Sequence, residues 1–197
     1  MSSFDRESVA SRFSAQVKLA AGRFERLSDL KGASAYITKI ALARNAKRIV
    51  LSGDSISSEL LNQIVQGPFE VTSYANASRD DFYRALRLAE IGVSSVDLAV
   101  AETGTLIIST TDESNRLVTA LPEVHVAIVP RSALVSSLKE AGPYLSDTIR
   151  NTTGPVTVSL ISASSRTSDI ADIVILGVHG PKELHVLLLD WERPEGL

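Results

Sequence analysis

Hydrophobic and polar positions alternate along this chain in a way that separates helices from strands. Val9, Phe13, Val17 and Ala20 recur at helical spacing, which predicts an amphipathic helix over 5–20. Ser28 or Asp29 can cap a second helix whose apolar stripe is Leu30, Ala33, Ile37, Ile40 and Ala41. The β-branched run from Arg48 to Leu51 stops at Ser52-Gly53-Asp54, the pattern of a buried strand entering a turn. A short helix (55–65) and a strand (69–73) follow. Ser78 and Asp81 then stand at capping-box spacing ahead of Phe82, Ala85, Leu86 and Ala89 on one helical face.

Beyond Gly92 the strand signals crowd together, at 97–101, 105–110, 123–129, 156–161, 173–176 and 184–189, with one helical stretch between 131 and 150. Strands alternating with helices predict an α/β fold with a largely parallel sheet covered by helices on both faces. Around Gly104 two strand runs stand too close for a crossover helix, so a hairpin or sharp bend is expected there and the sheet is expected to be mixed. No repeat, low-complexity segment or Pro/Gly-rich linker divides the chain. We expect a single domain, with residues 1–27 as an N-terminal amphipathic helical extension and 28–197 as the body.

Composition narrows the chemistry. Of 197 residues, 44% are hydrophobic, 22% charged and 5% aromatic, which excludes disordered and fibrous classes. There is no cysteine, so this chain alone offers no disulfide, thiolate-bound zinc, cysteine nucleophile or iron–sulfur ligation. The polar N-terminus and the lack of a long apolar run lead us to expect a cytoplasmic protein with no membrane span. The net charge of −3 is unevenly spread. Residues 1–50 hold ten Lys/Arg against four Asp/Glu, and the rest holds ten against nineteen. Such an arm either seeks an acidic partner or forms the solvated faces of helices; no basic run with interleaved aromatics points to nucleic acid.

Phosphate loops, dinucleotide turns, nucleophile elbows and zinc helices are all absent as motifs. The three histidines, His125, His179 and His185, match no standard metal spacing, so no metal site is expected. Four segments place functional groups at strand ends or in glycine-bent loops. In Glu102-Thr103-Gly104-Thr105 the glutamate is either a base, a nucleophile or ligand anchor, or a carboxylate that bonds a turn. Arg116, after a polar turn, is either a two-pronged grip for a small carboxylate or a surface cation. The run from Ser162 through Ser165, Arg166 and Thr167 to Asp169 is either an anion nest or a helix-capping turn. Last, Gly177 and Gly180 flank His179, whose ordinary pKa near neutrality suits proton transfer. His185 and His125 lie in apolar strands and read as core histidines, His185 being kept among the candidate ligand-binding residues.

Taken in order, these segments resemble a known family. Ala101–Thr105, Leu121-Pro122-Glu123-Val124-His125-Val126-Ala127, Ser165–Ile170 and the stretch Gly177-Val178-His179-Gly180-Pro181-Lys182-Glu183-Leu184-His185-Val186 are similar to the lactate utilisation protein C family, also called LUD-domain or YkgG-like proteins. The ordered motifs cover roughly residues 75–190. The resemblance implies a three-layer Rossmann-like fold of the superfamily of ribose-5-phosphate isomerase, glucosamine-phosphate deaminase and CoA-transferases. It implies a part in oxidising lactate to pyruvate with two partner proteins that carry the iron–sulfur clusters. This chain itself shows no identifiable cofactor. Ala163, Ser164 and Ala171 depart from the family pattern, which usually has Gly, Pro and Glu there.

Three functions follow as expectations. The chain is a non-cluster subunit of a lactate-oxidising system, with Arg116 or Arg166 on the substrate carboxylate and His179 taking the hydroxyl proton. Alternatively, it is a regulatory or architectural subunit that binds a small molecule. The third reading is a CoA-transferase- or isomerase-like enzyme, since Glu102-Thr103-Gly104 is similar to the glutamate-x-glycine arrangement of CoA-transferases.

Overall fold

The computed structural model describes residues 3–64, 67–167, 175–176 and 180–190. Along the chain it runs α1 (Ser3–Leu19), β1 (Arg23–Leu27), α2 (Leu30–Arg44), β2 (Arg48–Leu51), α3 (Ser55–Leu61), β3 (Glu70–Ser73), α4 (Arg79–Leu88), β4 (Ile91–Ser95), β5 (Leu98–Val100), β6 (Thr105–Thr110), α5 (Glu113–Val118) and β7 (Val124–Pro130). A 3-10 turn (Arg131–Ala133) leads to β8 (Leu134–Val135), α6 (Leu138–Asn151), β9 (Thr157–Ile161), β10 (Arg166–Thr167), β11 (Ile175–Leu176) and β12 (Glu183–Leu189). Asp29 caps α2 through the Gly32 N–H, and Ser78 caps α4 through the Asp81 N–H.

The fold is α/β. Six strands form a main sheet in the order β1-β12-β7-β4-β2-β3, every pairing parallel. The antiparallel pairs expected near Gly104 belong to a second sheet, ordered β8-β5-β6-β9, in which β5 and β6 form the hairpin. Buried on both faces, β7 and β12 are almost wholly apolar, as a covered parallel sheet requires. Val124, Val126, Ile128, Leu187 and Leu189 pack on α2 and α3. The opposite face, with Ala127, Val129, Leu184, Val186 and Leu188, meets α1 and the inner residues of β5 and β6. One covering layer is therefore part helix and part sheet, and α6 packs outside it through Ala141 on Val100 and Ile107.

Two main-sheet strands went unread in the sequence. Arg23–Leu27, inside the stretch expected as a helical extension, is an edge strand paired with β12. The five residues Ile91–Ser95 are all buried, yet Gly92, Ser94 and Ser95 carry no strand signature. Gly92 has a packing reason: a Cβ there would stand 2.2 Å from the Val118 carbonyl oxygen at the end of α5.

Part of the basic surplus of residues 1–50 is met by carboxylates within the chain. Arg23 and Arg44 pair with Glu183, Arg26 with Asp190 and Arg48 with Glu70. Arg26 and Arg131 both reach Glu7 and Asp190, so α1, β1, the turn after β7 and the end of β12 are tied by one ionic cluster. No helix among the described residues is long and apolar enough to cross a membrane.

Candidate functional site

Between the main sheet, α5 and the second sheet lies a cavity of about 500 Å³. Arg116, Thr119 and Ala120 line it from α5 and its end, His125 from β7, and Ser159, Leu160 and Ile161 from β9. The loop of residues 162–165, Gly180, Pro181 and Leu184 complete it. Because His125 and Leu184 are the second residues of β7 and β12, the cavity lies toward the amino ends of these strands. The crevice at the carboxyl ends, where open α/β sheets usually hold ligands, is not where these side chains meet. The second sheet and α5 wall off this end of the face instead.

Several expected residues are brought together here. Arg116, Ser165 and Gly180 line the cavity. Gly180 backs onto Ser165, whose Cβ lies 3.3 Å from where a glycine Cβ would stand, and the Ser165 N–H donates to the Pro181 carbonyl at 2.9 Å. The serine-rich loop and the glycine loop are thereby fastened to one another. Thr105 and Thr103 join through hydroxyls: Thr105 Oγ1 is 2.8 Å from Ser162 Oγ and 2.7 Å from Thr103 Oγ1. Thr119 sits buried at the cavity wall, its hydroxyl donating to the Arg116 carbonyl at 2.8 Å.

Other expected residues go elsewhere. Glu102 is not among the residues that line the cavity; its Oε1 accepts the Leu138 N–H at 2.7 Å, at the first turn of α6. This bond to a turn is one of the alternatives open to the carboxylate. Gly104, at φ +70°, brings its loop against α1, since a Cβ there would meet Gln16 and Val17 at 3.0 Å. His185 is buried on the α2 side of the sheet, away from the cavity. Its Nδ1 meets the Tyr36 hydroxyl at 2.9 Å and its Nε2 meets Glu183 Oε2 at 3.1 Å. One neutral tautomer serves both contacts, and burial holds the ring's pKa below its ordinary value against the opposing pull of Glu183. Arg166 and Thr167 enter the structure as the backbone of β10, paired with β11 directly after Ser165. Asp169, Gly177 and His179 lie outside the described residues.

The residue that sequence reasoning passed over is His125. The residue is 1% exposed, its Nε2 lies 2.9 Å from Ser94 Oγ, and its Nδ1 has no hydrogen-bond partner among the described residues. Burial first, and repulsion from His185 second, push its pKa down to about 4, so the ring is neutral near pH 7. The signal that could have found it was a lone polar residue in an apolar strand, together with Ser94 in the unread strand β4.

Chemically, the cavity offers a guanidinium, a neutral imidazole and a wall of hydroxyl groups against the apolar Leu160, Ile161 and Leu184. That combination suits a small anion carrying an uncharged polar group. Among the described residues, no three His, Asp or Glu side chains gather as a metal site.

Comparison with known proteins places this architecture. The chain is 32% identical over 107 residues to lactate utilization protein C of Shouchella clausii, covering 52% of this chain and 45% of that protein. It is 32% identical over 104 residues to lactate utilization protein C of Bacillus subtilis, covering 52% and 43%. The chain spans about half the length of the curated relatives it matches. In fold it is similar to the crystal structure of a DUF162 family protein from Deinococcus radiodurans, with a TM-score of 0.66, 18% identity, and coverage of 93% of this chain and 98% of that one. The model of the LUD domain matches residues 10–189, from within α1 to the last residue of β12, and this chain therefore belongs to the LUD-domain family.

Proposed function

We propose that this chain is a small-acid-binding subunit of a lactate utilisation system, in which lactate is oxidised to pyruvate together with iron–sulfur partner proteins. The observation that carries this reading is the cavity of a LUD domain with Arg116 and a hydroxyl-rich loop in its wall. A guanidinium forms two parallel hydrogen bonds with a carboxylate, and the surrounding serines and threonines bond the remaining polar atoms of a three-carbon acid. The names of the relatives supply the substrate class. Since the chain has no cysteine, thiolate-held clusters belong to the partners in this reading, and electrons leave through them.

Calorimetric titration of the purified chain with lactate, pyruvate and propionate tests it. Lactate or pyruvate binds one per chain, and Arg116→Gln weakens that binding at least tenfold while the melting temperature holds. A ligand that binds the folded state alone also raises the melting temperature. If none of these acids binds, or if Arg116→Gln binds as well as the parent, this function is wrong.

A further inference from the structure

The main sheet keeps two buried histidines, His185 on the α2 face and His125 on the cavity face, and they are treated differently. Both ring nitrogens of His185 are met by protein, by Tyr36 and Glu183. His125 is equally buried, yet only its Nε2 is met, by Ser94, and its Nδ1 has no partner among the described residues. A buried polar atom left without a partner is destabilising, and such atoms are rare enough in folded proteins that each calls for a reason. The ring forms part of the cavity wall, in company with Arg116, Thr119, Ser162 and Ser164.

We propose that His125 Nδ1 is the cavity's contact with the uncharged oxygen on C2 of a small 2-hydroxy or 2-keto acid, with Ser94 fixing the ring and Arg116 holding the carboxylate. This rests on the small-acid reading of the cavity and adds to it the residue that tells such acids from a plain carboxylate. In a 2-hydroxy or 2-keto acid the C2 oxygen is one carbon away from the carboxylate, so a single cavity can address both groups.

The serine makes the contact adaptable. When the Ser94 hydroxyl donates to Nε2, the hydrogen of the neutral ring is on Nδ1, which then donates to a keto or hydroxyl oxygen. If Ser94 instead accepts from Nε2, Nδ1 is an acceptor and takes the hydrogen of a hydroxyl group. One His–Ser pair can thus receive both the hydroxyl form of an acid and its keto form by rotation of a hydroxyl and a change of tautomer. A lysine or a protonated histidine, being donor only, would meet the keto form but could accept nothing from the hydroxyl.

The test uses the whole chain labelled with 15N-histidine, its ring nitrogens assigned with the His125→Gln variant and observed at pH 7 with lactate, pyruvate and propionate. Lactate or pyruvate is expected to move the His125 Nδ1 resonance, propionate to leave it in place, and the His185 resonances to stay fixed throughout. Binding of lactate or pyruvate falls about tenfold in His125→Gln, as loss of one hydrogen bond predicts, and by a comparable factor in Ser94→Ala, which keeps the ring but frees it. If these acids bind and His125 Nδ1 does not respond, or if propionate binds equally well, the inference is overturned and the small-acid cavity survives it. Should no acid bind, the cavity reading falls first and takes this inference with it.

Discussion

Glu102 Oε1 accepts the backbone N–H of Leu138 at 2.7 Å, fastening the turn after β5 to the start of α6. A second bond, from the Glu102 N–H to the Ser136 carbonyl at 3.2 Å, reinforces the same junction. The carboxylate thus satisfies one of the orphan donors of a helix start. Glu102→Ala is expected to cost about 1 kcal/mol, the usual worth of a cap, and to lower the melting temperature by about 2–4 °C. Affinity for small acids stays unchanged. Loss of that affinity with the fold intact would give Glu102 a direct part in the site and revive the CoA-transferase-like reading.

Acid should weaken this fold earlier than carboxylates alone would allow. The His125 ring takes up a proton at about pH 4 in the folded chain, but near 6.5 once unfolded. Between those values the unfolded state binds a proton that the folded state refuses, so stability falls as pH falls from about 6.5 toward 4 and this contribution levels off below. Its full worth is about 3 kcal/mol. His185 is shifted in the same direction. Asp54, Glu183 and Asp190 have pKa values held low, so their contributions persist until more acid conditions. Urea unfolding at pH 7, 6, 5 and 4 measures the slope, and His125→Gln should flatten part of it. An identical slope in the variant would mean that the ring is not desolvated.

Glycines at two places should respond with very different magnitudes. In Gly92→Ala the new Cβ meets the Val118 carbonyl oxygen at 2.2 Å and Pro122 Cγ at 2.9 Å, and a backbone carbonyl cannot swing aside. The expected cost is about 3 kcal/mol or more, the upper end of overpacking. Gly92 also pairs with His125 across the sheet, so the shift of α5 reaches the cavity and acid binding drops as well. Gly142, inside α6, has nothing within 4 Å of its Cβ position beyond its chain neighbours, but Pro143 follows it directly. In Gly142→Ala the gain in helix propensity is offset by the clash of the new Cβ with the Pro143 ring, so the change should stay within about 1 kcal/mol of the parent. Thermal melts of the two variants decide both claims.

How legible the fold was depended on whether the information was local. α2 and α4 announce themselves through Asp29 and Ser78 and an apolar stripe one turn later, all within a few residues. β1 has the sequence Arg-Phe-Glu-Arg-Leu and is held by pairing with β12 more than 150 residues away, which no local pattern reports. β4 is buried on both faces and can do without bulky residues at Gly92 and Ser94, because α5 presses on one of them and His125 on the other. The same split governs the site. Arg116, in α5 just after a polar turn, and Ser165 and Gly180, in polar or glycine-bent loops, could each be picked out as residues that line the cavity. An acid at a strand end looks alike whether it meets a substrate or a helix start, as Glu102 shows. His125 was hidden, since a histidine between two valines reads as core until its neighbours across the sheet are known.

The cluster of Arg26, Arg131, Glu7 and Asp190 looks like the anchor of α1, but its magnitude argues otherwise. The side chains remain 21–50% exposed, and ion pairs in that setting are worth at most about 1 kcal/mol. Phe13 and Val17, by contrast, are buried against Ala101, Leu106 and Val186. Phe13→Ala should cost about 3–5 kcal/mol, whereas Arg131→Met should shift the melting temperature by a few degrees at most. Salt separates the two causes. At 1 M ionic strength, where the screening length is about 3 Å, the difference between wild type and Arg131→Met should vanish while the Phe13→Ala deficit stays. A deficit in Arg131→Met that survives 1 M salt would show that the stem of the arginine, rather than its charge, holds the helix.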